Sequence, residues 1–308
     1  MYEPLVSISC ITFNHSLYIR NCLDGLINQR TNFDFEILIH DDASNDSTQE
    51  IIQEYAARFP DKIFPVYQQE NQYRKGVRGI MARFNFPRAR GKYIALCEGD
   101  DYWTDPDKLQ KQVDFLEANP EYVLCFHRAQ VLVNNELKPD PLEERFNKIS
   151  QRPIRKMDLL QQSNFIQTHS VVFRNVVSEF PTEFKNSPAG DLLLYIELAN
   201  HGFIHRMDDV MGVYRMGSGV YSTLDPFNLK KQKLKLEIAI VSMLNAEDEK
   251  EVVIKKIFQT LDQMKNPLAK VNIYESLKDV VSYKLIFEIL VYKFKSRFGL
   301  IRKEQADS

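Results

Sequence analysis

Three carboxylates follow the apolar run "KYIAL" within a few residues: Glu98, Asp100 and Asp101. Adjacent acids repel one another unless water, a cation or a helix N-terminus offsets their charge. Hard divalent cations take oxygen ligands, and Mg²⁺ or Mn²⁺ commonly combines one or two carboxylates with substrate phosphates. The pair Asp100 and Asp101 therefore indicates a metal and diphosphate site. A polar turn before a helix is the alternative interpretation, because Asp favours such turns.

A second acidic pair, Asp41 and Asp42 in the segment "IHDDASNDST", ends an earlier strand-like run. A carboxylate at a strand end can accept a hydrogen bond from a nucleobase imide or a ribose hydroxyl. The alternative is again a polar turn, here before a capped helix. Each acidic pair stands at the end of a strand-like run. This shared position favours a binding site.

The elements that position these acids alternate between strand and helix patterns. Strand patterns cover 5–12, 35–40, 62–67, 92–99 and 122–133, and helix patterns cover 16–29, 47–59 and 104–120. Pro65 places the third strand at an edge of the sheet or at an irregularity. The alternation predicts an α/β fold with a mostly parallel sheet flanked by helices. Ligands of such sheets bind at the carboxyl ends of strands, where both acidic pairs fall.

The second half of the chain is less regular. Strand patterns at 168–174 and 210–216 enclose a helix pattern at 190–202. Strand signals fade near residue 225, and long helical patterns follow. We therefore expect a domain boundary near residue 225 and a helical C-terminal extension over 226–308.

The composition is that of a soluble globular protein. Of 308 residues, 44% are hydrophobic and 27% charged, and the formal net charge of −2 gives no argument for a nucleic-acid partner. The four cysteines lack CxxC spacing and indicate buried thiols in a reducing compartment. The N-terminus lacks a basic region before its short apolar run, and no stretch reaches eighteen apolar residues. These features predict a cytoplasmic protein that is not integral to a membrane.

Three segments together resemble the family 2 glycosyltransferases, which have the GT-A-type nucleotide-sugar fold with a Rossmann-like sheet. They are "VSISCITFNHSLYIRNCLDGLINQ", "FEILIHDDASNDST" and "GKYIALCEGDDYWTDPDKLQKQVDFL". They occur in the family's order, at suitable spacing, over residues 1–130. The resemblance implies a nucleotide-binding half at 1–130 and an acceptor-side half at 131–225 of one catalytic domain.

The resemblance also implies roles for individual residues. Asp100 and Asp101 match the family's DXD-type pair, with one acid nearer the ribose and the metal on Asp101 or on both. The remaining contacts to the nucleotide are expected from Thr12, Asn14, Asp41, Asp42 and Arg215. Arg74 or Lys75 can also meet a phosphate, although basic residues in loops are mostly solvated.

The segments "AGDLLLYIELANHG" and "VYRMGSGVYS" resemble the family less closely. Asp191 occupies the place of the family's general base, although an acid in the first turn of a helix is also an ordinary structural feature. Arg215 belongs to a segment like the family's Tyr-Arg-x-His-x-Gly, and Met216 and Gly217 stand near the place of its histidine. Gly217 and Gly219 indicate a closing segment. Lone histidines such as His169 are interpreted as structural.

The C-terminal stretch 282–303 combines an apolar helical stripe with six basic residues and one acid. A basic amphipathic helix can lie on an anionic membrane surface, at the inner face of the cell membrane. An ordinary helix that docks on a domain, with its lysines in water, has the same pattern. Both interpretations stay open at this point.

The motifs favour an inverting, metal-dependent glycosyltransferase that uses Mn²⁺ or Mg²⁺. The family implies a nucleotide-diphosphate sugar donor, with UDP-sugar favoured. It also implies a saccharide or lipid-linked saccharide acceptor, in bacterial surface polysaccharide or lipopolysaccharide synthesis. A sugar nucleotidyltransferase is one rival, but "TFNHS" stands where its glycine-rich phosphate loop belongs. The second rival is a non-catalytic nucleotide-binding protein with the same fold.

Overall fold

The computed structural model describes residues 3–149, 153–187, 189–217 and 224–264, apart from the side chains of Lys185 and Asn186. The chain divides into two compact units, Met1–Thr223 and Leu224–Ser308. The predicted amphipathic stretch 282–303 and the glycine Gly219 lie outside the described residues.

One mixed sheet forms the centre of the first unit. Its strands are β1 (Val6–Thr12), β2 (Phe35–Asp41), β3 (Ile63–Tyr67), β4 (Tyr93–Glu98), β5 (Tyr102–Trp103), β6 (Tyr122–Val133), β7 (Glu136–Pro139), β8 (Val172–Arg174) and β9 (Phe203–Arg215). The order across the sheet is β3-β2-β1-β4-β8-β6-β9-β5, and β7 pairs with β6. The strands β3, β2, β1 and β4 are parallel to one another. The short strand β8 runs antiparallel to both β4 and β6, so β6 and its parallel neighbour β9 point in the same direction as β4.

Helices cover the sheet and connect its strands. They are α1 (Ile19–Ile27), α2 (Thr48–Arg58), α3 (Lys108–Ala118), α4 (Glu143–Phe146), α5 (Lys156–Gln162), α6 (Thr182–Asn186) and α7 (Gly190–Leu198). Single turns of π-helix (Met81–Asn85) and 3₁₀-helix (Phe86–Arg88) precede β4, and a 3₁₀ turn (Thr168–Ser170) precedes β8. The predicted α/β fold with flanking helices is confirmed.

The strands β1, β2 and β4 are buried along almost their whole length. Central parallel strands have helices on both faces, so their sequences are nearly continuous apolar runs. The edge position predicted for the strand that contains Pro65 is confirmed, because β3 ends the sheet. All four cysteines are buried free thiols, as predicted.

Among the boundaries that differ from the sequence prediction are those of α3 and β8. The helix expected from residue 104 begins at Lys108, because the Thr104 N–H donates to the carbonyl of Met211 at 3.0 Å and holds residue 104 beside the sheet. The strand expected over 168–174 is a 3₁₀ turn followed by the three residues of β8.

The second unit contains two described helices, α8 (Pro226–Met243) and α9 (Glu247–Gln263). Asp225 caps α8, because its Oδ1 accepts the N–H groups of Phe227 and Asn228 at 2.9 and 3.1 Å. The Thr260 hydroxyl of α9 donates to Glu237 of α8 at 3.3 Å. Within the described ranges, none of the helices has the length and apolarity that crossing a membrane requires.

Candidate functional site at the carboxyl edge of the sheet

The central strands end side by side at one edge of the sheet. Thr12 at the end of β1 is in register with Asp41 at the end of β2, and Ile11 is in register with Glu98 at the end of β4. Parallel alignment therefore brings the two predicted acidic segments to the two sides of Thr12.

The turn after β4 gathers three carboxylates. Ligand oxygens of Glu98, Asp100 and Asp101 all lie within 4.8 Å of one another. Burial raises the pKa of Glu98 and of Asp101 well above the usual value, and the neighbouring carboxylates raise both further. Glu98 was not among the predicted site residues, although its place two positions before Asp100 is a signal that the sequence offers. A cation would offset the repulsion among the three.

Asp101 faces the interior of the protein. It is 1% exposed, its Oδ1 accepts the Arg215 N–H at 2.8 Å, and its Oδ2 lies 3.4 Å from Nδ1 of His169. Arg215 also donates from Nε to the carbonyl of Asp100 at 3.0 Å. The structure therefore brings Arg215 to the predicted metal pair, where it contacts the backbone of the acidic turn.

The turn also packs against Thr12 at the end of β1 and against His15 in the loop that follows. A Cβ atom on Gly99 would lie 2.7 Å from the Thr12 hydroxyl oxygen and 3.0 Å from Nδ1 of His15. On the other side of the ring, Nε2 of His15 lies 3.8 Å from Oδ2 of Asp100. Burial lowers the pKa of His15, and the charge of Asp100 opposes this effect. His15 was not predicted as a site residue.

Asp191 lies in the first turn of α7 and belongs to the same electrostatic environment. Burial raises its pKa, and its charge in turn contributes to the raised pKa of Glu98. Its Oδ2 accepts a hydrogen bond from Nδ2 of Asn164 at 2.7 Å, and Asn164 is held by the N–H of Ile166. A partly buried carboxylate with a raised pKa is suited to general-base chemistry.

The two acids at the end of β2 are engaged by neighbouring loops. Asp41 accepts hydrogen bonds from the N–H and hydroxyl of Ser44 and from Gln49. Asp42 accepts the N–H groups of Gln72 and Tyr73 at 2.7 and 3.0 Å. Its pKa lies below the usual value although burial opposes this, because the imidazole of His40 and these two amides stabilise the charged form.

Asn14 joins the loops after β1 and β2. Its N–H donates to the Ser44 hydroxyl at 2.8 Å, and its Oδ1 accepts the Asn45 N–H at 2.9 Å. The backbone of Asn14 has a left-handed φ of 54°, a conformation that asparagine tolerates better than most residues. The predicted residues Asn14 and Asp41 therefore shape the loops, and their side chains make contacts within the protein.

The predicted basic loop lies beside the same edge. The Arg74 guanidinium lies over the Phe13 ring, 5.5 Å from its centroid, and Lys75 forms an ion pair with Glu70. This loop is anchored through its backbone by Asp42. Of the two basic residues predicted to meet a phosphate, Arg74 is therefore the one that lies beside the segment that contains Thr12.

The cluster fits a divalent cation. All three acids offer oxygen ligands, as Mg²⁺ and Mn²⁺ require, and among the described residues Oδ2 of Asp101 accepts no hydrogen bond. Asp101 contacts Arg215 and His169 on the inner side of the turn. Glu98 and Asp100 are more exposed to solvent than Asp101.

The fold and the motifs match a known family. The model of Glycosyl transferase family 2 matches residues 7–180, which include β1, the acidic turn and β8. The chain belongs to this family. The resemblance inferred from the motifs is therefore confirmed.

Relatives of this glycosyltransferase family 2 chain occur in several bacteria. An uncharacterized protein of Mycobacterium tuberculosis is 42% identical over 216 residues, which cover 68% of this chain and 58% of that protein. The chain thus spans less than two thirds of the length of that relative. A chondroitin synthase of Escherichia coli is 36% identical over 111 residues, which cover 36% of this chain and 15% of that protein. The family relatives therefore include a polysaccharide synthase.

Two solved structures share the fold. TarS 1-349 of S. aureus in complex with UDP-GlcNAc has a TM-score of 0.58 at 15% identity, over 84% of this chain and 72% of that one. The mannosyltransferase PcManGT of Pyrobaculum calidifontis, in complex with GDP-Man and Mn²⁺, has a TM-score of 0.60 at 15% identity. That match covers 98% of this chain and 82% of the other.

Proposed function

We propose that the protein transfers a sugar from a nucleotide-diphosphate donor to an acceptor hydroxyl, with inversion at the anomeric carbon. The observation that carries this proposal is the convergence of Glu98, Asp100 and Asp101 beside Thr12, at the carboxyl edge of the sheet. We assign the catalytic domain to 1–225, with nucleotide-binding and acceptor-side halves at 1–130 and 131–225. Residues 226–308 are the helical extension.

The donor site is assigned to the edge around Thr12. Asp100 and Asp101, together with Glu98, are the acids proposed to hold Mn²⁺ or Mg²⁺, and Asp101 also holds the turn through its contact with Arg215. When bound, the cation neutralises the charge of the departing diphosphate. Thr12, Asp42 and Arg215 are assigned to the nucleotide. UDP-sugar is the favoured donor, in line with the UDP-GlcNAc of TarS, although PcManGT binds GDP-Man.

Asp191 is assigned as the general base. In one displacement, a bond forms between the acceptor oxygen and the anomeric carbon while the bond from that carbon to the diphosphate oxygen breaks. The electron pair of the broken bond leaves on the diphosphate, and the acceptor proton passes to Asp191. The raised pKa of Asp191 and its fixed hydrogen bond with Asn164 support this role.

The acceptor is proposed to be a saccharide or lipid-linked saccharide, in the synthesis of a bacterial surface polysaccharide or lipopolysaccharide. The similarity to a chondroitin synthase supports a polysaccharide product. A cytoplasmic location, with peripheral contact at the inner face of the membrane through 282–303, is proposed for a lipid-linked acceptor.

Calorimetric titration tests the donor site. The full chain is titrated with UDP, GDP, dTDP and CDP, each with Mn²⁺ and with EDTA, and the tightest case is repeated in Asp100→Asn. We expect one nucleotide to bind in a metal-dependent way and Asp100→Asn to lose that binding. Asp61→Asn is the matched control, because exposed Asp61 precedes β3 at the opposite edge of the sheet. Absence of binding by every nucleotide would overturn the proposal.

Turnover separates the rival functions. The nucleotide sugar of the bound class is incubated with the protein and Mn²⁺, and release of the nucleoside diphosphate is measured with and without oligosaccharide acceptors. We expect the native protein to release the nucleoside diphosphate and the Asp191→Asn variant to lose this activity. Release of pyrophosphate from a nucleoside triphosphate and a sugar phosphate would indicate a nucleotidyltransferase instead. Binding without any turnover would indicate a nucleotide-binding protein.

A further inference from the structure

Two imidazoles flank the acidic turn after β4. Nε2 of His15 lies 3.8 Å from Oδ2 of Asp100, and Nδ1 of His169 lies 3.4 Å from Oδ2 of Asp101. The His169 side chain is fully buried, whereas 16% of the His15 side chain is exposed. Of these two imidazoles, only that of His15 can therefore contact a ligand that binds to the acidic turn from the solvent side.

The ring of His15 is oriented by Gly99. Its Nδ1 is buried without a hydrogen-bond partner among the described residues, and it lies so close to Gly99 that a Cβ atom there would approach to 3.0 Å. With Nδ1 against the turn, Nε2 is the nitrogen directed at the Asp100 carboxylate. A glycine between Glu98 and Asp100 is thus what allows an imidazole to lie against the acids.

The backbone of His15 is fixed as well. Its carbonyl accepts the N–H groups of Tyr18 and Ile19, each at 2.8 Å, at the start of α1. The next residue, Ser16, donates its N–H to Asp46 at 3.1 Å. These contacts hold the imidazole beside the acidic turn before any ligand arrives.

A small shift would place the two side chains on one cation. With metal–ligand bonds of about 2.1 Å, two adjacent ligands of an octahedral ion lie about 3.0 Å apart. The distance of 3.8 Å from Nε2 of His15 to Oδ2 of Asp100 is longer than this by about 0.8 Å, so a bound cation has to draw the two side chains together by about that amount. No hydrogen bond joins His15 and Asp100 at this distance.

We propose that Nε2 of His15 is a ligand of the divalent cation, together with the carboxylate of Asp100. The proposal rests on the proposed function, because it concerns the same cation site. An imidazole nitrogen suits transition metals, whereas Mg²⁺ takes oxygen ligands almost exclusively. His15 therefore makes the site selective for Mn²⁺ over Mg²⁺.

Electron spin echo spectroscopy of bound Mn²⁺ tests the assignment directly. The full chain is loaded with Mn²⁺ and UDP, and the modulation from a directly coordinated nitrogen is recorded in the native protein, His15→Gln and His15→Glu. We expect the nitrogen modulation in the native protein only. We also expect Mn²⁺ to bind about tenfold or more weakly to His15→Gln. His15→Glu restores an oxygen ligand, so it recovers binding without the modulation and with a smaller preference for Mn²⁺ over Mg²⁺.

The matched control is His201→Gln. Nε2 of His201 also lies near a single carboxylate, 3.9 Å from Glu197, but the His201 side chain is exposed just after the end of α7. We expect this variant to keep both the nitrogen modulation and the Mn²⁺ affinity of the native protein. Far-ultraviolet circular dichroism of each variant checks that it is folded.

Failure of the inference differs from failure of the proposed function. Mn²⁺ and UDP bound without nitrogen modulation, or with a modulation that persists in His15→Gln, would overturn the role of His15 and leave the donor site intact. No Mn²⁺ bound to the native protein, with or without UDP, would overturn the cation site and the proposal together.

Discussion

Asp101 and Arg215 are 114 positions apart in the chain, yet Oδ1 of Asp101 accepts the Arg215 N–H at 2.8 Å. The Nε–H of Arg215 donates a second hydrogen bond, to the carbonyl of Asp100 at 3.0 Å. The two contacts join the acidic turn after β4 to the end of β9. The family resemblance gives the two acids different roles, and the structure gives Asp100 and Asp101 different environments.

Asp101 is therefore expected to affect stability as well as cation binding, whereas Asp100 is expected to affect cation binding alone. Asp101→Leu removes the acceptor of a buried N–H and should lower the free energy of unfolding by about 1–3 kcal/mol. Asp101→Asn keeps an acceptor oxygen and removes a buried charge, so its stability should equal or exceed that of the native protein. Urea unfolding without metal measures both. Equal losses in the two variants would contradict the role given to the Arg215 contact.

Asp191 is expected to affect turnover without affecting the donor site. Asp191→Asn removes the base and should lower kcat by about 10² to 10⁴, while the nucleotide binds as before. Calorimetry with the nucleotide and a steady-state assay measure the two effects separately. A loss of nucleotide affinity that matches the loss of kcat would instead place Asp191 in donor binding.

Asn164 is expected to set the pH range of the reaction. Its hydrogen bond lowers the pKa of Asp191 and partly opposes the larger effect of burial. Asn164→Leu removes that bond, so the pKa of Asp191 rises further. A general base works only when deprotonated, and the acidic limb of the kcat profile should therefore move to higher pH. An unchanged limb with a lower kcat would show that Asn164 acts by packing alone.

The first half of the fold was predictable because its signals are local. The strands β1, β2 and β4 are continuous buried runs, and the two acidic pairs lie at the end of β2 and just after β4. The strands β5 and β8 have two and three residues, which is too short for any periodic pattern. Strand β9 was predicted only from residue 210, because its earlier part includes the exposed acids Asp208 and Asp209.

The site was predictable where the residues belong to a motif. Asn164 and His169 belong to no motif that marks a site. Only the tertiary structure brings Asn164 to Asp191 and His169 to Asp101. Asp41 shows the opposite case. It lies where the motif places it, but Ser44 and Gln49, three and eight residues later, satisfy its oxygens. A polar turn and a binding site are both consistent with that sequence, and the contact of Asp41 with a nucleotide stays a prediction.

Gly99 is expected to be intolerant of any side chain. In Gly99→Ala the new methyl group would lie 2.7 Å from the Thr12 hydroxyl oxygen and 3.0 Å from Nδ1 of His15, so both residues must move. We expect a loss of about 1–3 kcal/mol in stability from overpacking, with at least a tenfold weaker affinity for Mn²⁺ and nucleotide. Calorimetry and urea unfolding measure these two effects.

The control for Gly99 is Gly190→Ala at the start of α7. A Cβ atom there meets only the Phe184 ring at 3.8 Å and the backbone of Gly79 at 4.0 Å, which are ordinary contacts. Alanine is also the better helix former, so stability should stay the same or rise by about 0.5–1 kcal/mol. Nucleotide affinity that falls equally in both variants would contradict the steric argument for Gly99.

Lys108 is expected to make stability depend on pH. It is fully buried, its Nζ has no hydrogen-bond partner within the described part of the chain, and it lies 3.9 Å from the centroid of the Trp103 ring. Burial lowers the pKa of Lys108 to about 7. Between this value and the ordinary value near 10.5 the unfolded state binds more protons, so the free energy of unfolding rises with pH across that window.

Replacement of Lys108 should remove this dependence. Lys108→Met keeps the length of the side chain without its charge, so the variant should be more stable than the native protein at about pH 6, and the difference should shrink towards about pH 10. Lys111→Met on the same helix is the control. Ion pairs with Asp105 and Asp209 raise the pKa of Lys111 to about 12, so its contribution stays constant below about pH 10. A stability difference between Lys108→Met and the native protein that does not change with pH would show that Nζ stays protonated in the core, and the contact with the Trp103 ring would then be the interaction that keeps it charged.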